Sequence, residues 1–76
     1  MNHYPHTTVA TVVPMKGRFL MVQEKSGESL VYNQPAGHVE VGEGLIAAAV
    51  RETFEETGWQ VRVECLIGIY SHVHKE

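Results

Sequence analysis

Between Gly37 and Gly58 the chain passes from a glycine-rich segment directly into a run of helix-forming residues, and no other feature constrains the fold as strongly. Gly37 to Gly44 reads GHVEVGEG, with three glycines in eight residues, a loop built for backbone angles that other residues avoid. Leu45 to Thr57 then predicts a helix. Ala47, Ala48 and Ala49 favour it, and Ile46, Val50, Thr53, Phe54 and Thr57 recur at spacings of three and four, which defines a face to be buried. Gly58 stands where a left-handed C-terminal cap belongs. The start is weaker, with Gly44 at the N-cap position, although Glu43 beside it suits the positive end of the helix dipole.

A single amphipathic helix needs a surface to cover, and the remaining sequence offers strands. Thr7–Pro14 and Gly17–Glu24 are apolar and β-branched runs on either side of Met15-Lys16-Gly17, the pattern of a hairpin. Lys25–Glu28 reads as a loop, and Leu30–Asn33 as a short strand that stops before Pro35. After the helix, Val61, Val63 and Cys65 alternate with Gln60, Arg62 and Glu64, and Leu66–Tyr70 is continuously apolar. This predicts one long strand from Trp59 to Tyr70, with Trp59 packed in the core and Cys65 acting as a small buried hydrophobe. The fold class is α+β, in one domain covering residues 1–76.

The 76 residues include one cysteine, so neither an internal disulfide nor a cysteine-cluster zinc site is available to brace so small a core. No apolar run approaches the roughly 18 residues of a membrane helix, and the first residues lack the layout of a signal peptide. A net charge of −3 offers no footprint for a nucleic-acid backbone. A cytoplasmic protein with a small-molecule partner is the expectation, with no nucleic-acid polymer and no membrane.

The acidity is local. All nine acidic residues are glutamates, and five of them, Glu40, Glu43, Glu52, Glu55 and Glu56, lie within 17 positions with Arg51 as their sole cation. Glu52, Glu55 and Glu56, spaced three and four apart, share one helix face, turned away from Val50, Phe54 and Thr57. Like charges so placed oppose the helix unless a cation sits against them, and Arg51 can pair with Glu55 but cannot neutralise three carboxylates. A hard divalent cation, Mg²⁺ or Mn²⁺, suits the oxygen donors that remain. A merely solvated helix face is the alternative.

The full arrangement is Gly37, five residues, Glu43, seven residues, then Arg51-Glu52-Thr53-Phe54-Glu55-Glu56-Thr57-Gly58-Trp59. It resembles the Nudix box, the signature of the Nudix hydrolase superfamily, with every charged and glycine position filled. Thr53 is the departure, because the pattern carries an aliphatic residue there. Asn33–His38 and Thr8–Val13 further resemble the NudJ-type phosphatase branch, which acts on nucleoside di- and triphosphates and on pyrophosphates of the thiamine pathway.

The resemblance implies the N-terminal portion of a Nudix-type α/β/α sandwich, a mixed sheet with the box loop and helix (residues 37–59) packed on it. It implies a divalent-metal-dependent hydrolase that cleaves a diphosphate bond in a nucleotide or other organic pyrophosphate. The metal ligands would be Glu52, Glu55, Glu56 and the backbone carbonyl of Ala36, holding Mg²⁺ or Mn²⁺. The catalytic set would be Glu52 with Arg51 and Glu43 holding it in place; the proton acceptor is Glu52 in some members and a glutamate on a later loop in others. Gly37, with Gly42, would let the loop fold back over the helix start. Gly37, His38 and Arg18 are the candidate substrate contacts, with a solvated charge as the alternative for Arg18 and a loop histidine without a role for His38. The rival reading is a truncated module that binds metal or pyrophosphate without turnover. A homodimer would cover apolar surface left open by a half-domain. His72 and His74 read as ordinary polar residues rather than ligands, and Tyr32 as a packing residue.

Overall fold

The computed structural model describes residues 6–71. Six short strands precede a helix: β1 (Thr8–Ala10), β2 (Pro14–Met15), β3 (Arg18–Phe19), β4 (Val22–Ser26), β5 (Ser29–Asn33), β6 (Ala36–His38) and α1 (Leu45–Thr57). This is the α+β class expected. His72 and His74 lie outside the described residues.

The pairing is more local than a single mixed sheet. Among the described residues the strands form three antiparallel pairs, β1 with β6, β2 with β3, and β4 with β5. The expected hairpin between Thr7–Pro14 and Gly17–Glu24 contracts to β2 and β3, where Met15 faces Arg18 across Lys16 and Gly17. Both turn residues have positive φ (50° and 79°), the type I′ geometry that matches the twist of the flanking strands. In the second hairpin Ser26 faces Ser29, so Lys25 and Ser26 belong to a strand rather than to the expected loop. Gly27 supplies positive φ at the first turn position, as a type II′ turn requires.

β1 does not pair with its sequence neighbour. It crosses to β6, with Val9 opposite Gly37, and the ladder is extended by Thr11 N–H to the Pro35 carbonyl at 2.9 Å and Val39 N–H to the Thr7 carbonyl at 2.9 Å. β6 was expected as loop. Ala-Gly-His has little intrinsic preference for a strand, and the long-range ladder supplies what propensity does not.

α1 lies on β6 and β1. Its bounds coincide with the expected Leu45–Thr57, and Gly58 closes it at φ 78° with its N–H bonded to the Phe54 carbonyl at 2.8 Å. Of the expected face, Thr53 is buried and Val50 and Thr57 are partly so, but Ile46 and Phe54 are 66% and 48% exposed, and Ala48 and Ala49 complete the buried surface instead. Small side chains let the helix approach the strands closely, and the rotation turns Glu52 and Glu56 toward β6.

Residues 59–71 form no strand, contrary to expectation. Alternation marks a sequence suited to a ladder, but a strand exists only where a partner completes its hydrogen bonds, and none of the described residues supplies one here. Cys65 is therefore exposed, as are Leu66, Ile67, Ile69 and Tyr70. Trp59 is half outside the core at 51% exposure, and Tyr32, on the β4–β5 hairpin, stands in solvent.

Candidate active site

The glycine-rich loop is held by a turn. Glu43 N–H donates to the Glu40 carbonyl at 3.0 Å, and Gly42, at φ 80°, occupies the turn position that demands a left-handed residue. The turn aims the Glu43 carboxylate at the helix, where it takes both faces of the Arg51 fork: Nε donates to Oε2 at 2.7 Å and one terminal nitrogen to Oε1 at 2.9 Å. Glu43 Oε1 also accepts the Glu40 N–H at 3.1 Å.

Arg51 spends its other donors on the rest of the cluster. One terminal nitrogen serves Glu52 Oε2 at 2.9 Å and Glu55 Oε1 at 3.1 Å, while the other reaches the His38 carbonyl at 3.0 Å. Glu40 adds a looser ion pair at 3.5 Å. The planar guanidinium suits such multiple pairing, which a lysine cannot reproduce. The hydrogen bonds from Arg51, aided by the Glu40 N–H and partly opposed by burial, hold the Glu43 carboxyl below its usual range. In return Glu43 raises the Arg51 guanidinium further above its ordinary value, against desolvation. Loop, helix and the end of β6 thus meet at one cation.

The remaining carboxylates meet β6. Glu56 Oε1 accepts the Ala36 N–H at 2.9 Å. Glu52 lies over Gly37, so close that a Cβ on residue 37 would fall on its carboxylate. Gly37 is not among the positive-φ glycines, so its requirement is space rather than the backbone freedom expected of it. Glu52 and Glu56, one helical turn apart, therefore address adjacent backbone units of β6. Glu55 is turned outward, its side chain 56% exposed.

Of the other candidates, His38 sits at the end of β6 with its ring edge-on to His6, centroids 5.6 Å apart. Arg18 is in the β2–β3 ribbon and makes no hydrogen bond or ion pair to the carboxylates. Thr53, expected on the buried face of the helix, joins the site from behind together with Thr11, which sequence reasoning passed over, their hydroxyls 2.9 Å apart. The signal was present in the one departure from the box pattern, at Thr53.

A family model described as "NUDIX domain" matches residues 3–76. The chain belongs to the Nudix family. Proteins named "Phosphatase NudJ" from Escherichia coli strain K12, Escherichia coli O157:H7 and Shigella flexneri are each 44% identical to it over 69 residues, covering 91% of this chain and 45% of the relative. The chain thus spans slightly less than half the length of these relatives. The segment that resembles the Nudix box is built in this chain from a loop, a helix and one short strand tied together by Arg51.

The side chains gathered around Arg51 and β6 offer only oxygen donors, the type that hard divalent cations prefer. Among the described residues, no three His, Cys, Asp or Glu side chains converge on a common point. The carboxylates instead divide, with Glu52 and Glu55 sharing Arg51 and Glu56 on the Ala36 amide. Nor is any helix among the described residues long and apolar enough to cross a membrane.

Proposed function

We propose that this chain carries the cation-binding part of a hydrolase that cleaves a diphosphate bond in a nucleotide or other organic pyrophosphate, with Mg²⁺ as cofactor and Mn²⁺ as a substitute. The carrying observation is the placement of Glu52 and Glu56 on adjacent backbone units of β6, with Gly37 leaving room for the Glu52 carboxylate. Nucleoside di- and triphosphates and thiamine-pathway pyrophosphates are the substrate classes; the relatives' name, phosphatase, supports hydrolysis of a phosphate compound.

Glu52, Glu56 and the Ala36 carbonyl would hold the cation, with the exposed Glu55 able to swing in. A bound divalent cation supplies charge neutralisation at phosphate oxygens and acidifies water at neutral pH. The protein's share is orientation. Arg51 fixes Glu52 through Oε2, leaving Oε1 to face the cation or to accept a proton from the attacking water. Glu43 fixes Arg51 and contacts no substrate. His38 and Arg18 remain the proposed phosphate or base contacts.

Hydrolysis of a panel of nucleoside di- and triphosphates and other organic pyrophosphates with Mg²⁺, followed as phosphate release, tests the assignment. Glu52→Gln and Glu56→Gln should each lower kcat by about 100-fold, and unchanged activity in either would remove that residue from the site. A second reading, a module that binds without turnover, is favoured by the lack of a three-carboxylate convergence among the described residues. Cation binding without phosphate release, in this chain and in one of the relatives' length, would decide for it.

A further inference from the structure

Thr53 occupies the box position that the family pattern gives to an aliphatic residue, and its side chain is fully buried. A buried hydroxyl must be paired to be tolerated. This one is paired twice: Thr53 Oγ1 donates to the Ala49 carbonyl at 2.7 Å and lies 2.9 Å from Thr11 Oγ1. A hydroxyl has one proton to give, so Thr11 supplies the hydrogen between the two threonines.

The pair sits directly behind the carboxylates. Thr11 follows β1, and its N–H donates to the carbonyl of the buried Pro35. Pro35 precedes Ala36, whose N–H is held by Glu56, and Gly37, over which Glu52 lies. On α1, Thr53 follows Glu52 by one residue and precedes Glu56 by three. A closed circuit results, running from the backbone of residues 35–37 through the carboxylates to one turn of α1 and back through Thr53 and Thr11. An aliphatic side chain at 53 would fill the volume, but dispersion contacts change little when a helix slides by a fraction of an ångström, whereas a hydrogen bond has demands on distance and angle.

We propose that the Thr11–Thr53 hydroxyl pair fixes the axial position of α1 against the Pro35–Gly37 backbone, and thereby sets where Glu52 and Glu56 stand. Thr53 is a positioning residue. Its consequence for catalysis rests on the hydrolase reading above, while its consequence for geometry does not.

The test uses the full 76-residue chain with Thr53→Ser, which keeps the hydroxyl, and the double variant Thr11→Val/Thr53→Val, which leaves neither hydroxyl orphaned. Hydrogen exchange at the Ala36 amide, bonded to Glu56, is read against the Val39 amide, bonded to Thr7. The ratio of Ala36 to Val39 exchange should rise at least about tenfold in the double variant and stay near the parent value in Thr53→Ser. With Mg²⁺ and a hydrolysed substrate, kcat should fall about tenfold in the double variant at unchanged KM and recover in Thr53→Ser. An unchanged exchange ratio in the double variant, or a rise as large in Thr53→Ser, overturns the proposal. Absence of turnover in the parent chain counts against the hydrolase reading alone, and the exchange ratio still decides the positioning role.

Discussion

A side chain at residue 37 and the Glu52 carboxylate would compete for one volume, so the glycine there answers a need for space rather than for flexibility. Its backbone lies outside the left-handed region that only glycine tolerates well, so alanine there meets no dihedral strain. The added Cβ would land on the Glu52 carboxylate. Because that group is the end of a flexible side chain, it can move aside at little cost in stability, but only by leaving its seat over β6. Gly37→Ala should therefore leave the melting temperature level or slightly raised, since replacing glycine at a compatible position contributes about 0.4–1 kcal/mol through the unfolded chain. Activity should fall about 100-fold, the effect of displacing a reacting group by roughly an ångström. Thermal melting and kcat measured on one preparation check both halves, and a fully active Gly37→Ala would show that Glu52 need not sit there.

The loop and helix of the box behave as one electrostatic element, with Glu43 and Arg51 as its clasp. Because pairing with Arg51 depresses the Glu43 pKa, the folded state holds this proton less tightly than the unfolded chain, and the link stabilises the fold above the unfolded value of about 4.3. That contribution is lost as pH falls through the lower folded value. Acid unfolding followed by circular dichroism should thus show stability falling from near pH 4 downward, and Glu43→Gln should be less stable at pH 7 with a flatter acid limb. An identical acid limb would mean the clasp contributes nothing. This element was readable in the sequence because its information is local: α1 is announced by alanines, apolar spacing and Gly58, and the Arg51 cluster by fixed offsets. β6 was not readable, since Ala36-Gly37-His38 becomes a strand only by meeting β1, some 28 residues earlier along the chain. The Thr11–Thr53 bond spans 42 residues and escaped for the same reason. The alternation at Val61, Val63 and Cys65 misled in the opposite sense, because a strand-like pattern names no partner. The face expected on α1 keeps Thr53 buried, but Ala48 and Ala49 replace Ile46 and Phe54 on it, because small side chains allow close approach to β6 and β1.

At the scale of the whole molecule, few of the described side chains hold the fold by burial. Among the described residues the fully buried set includes Ala48, Thr53 and Pro35, none of them a large apolar side chain. Apolar burial therefore contributes little, and interactions at the acidic face carry an unusual share. Without a cation, four glutamates share Arg51 and a fifth, Glu56, stands on the Ala36 amide nearby, so like charges repel one another across the loop and helix. A ligand that binds the folded state alone stabilises it by mass action, about 2.7 kcal/mol at a hundredfold excess over Kd. In so small a domain each kcal/mol moves the melting temperature by roughly 4–8 °C. Saturating Mn²⁺ or Mg²⁺ should consequently raise the melting temperature by about 10–20 °C, and a chelator should reverse the shift. The gain should vanish in Glu52→Gln/Glu56→Gln, whose own melting temperature without metal should equal or exceed the parent's, because two like charges are gone. A cation shift that survives in that double variant would place the binding site elsewhere on the molecule, and a parent chain indifferent to both cations would leave the acidic face as solvated surface.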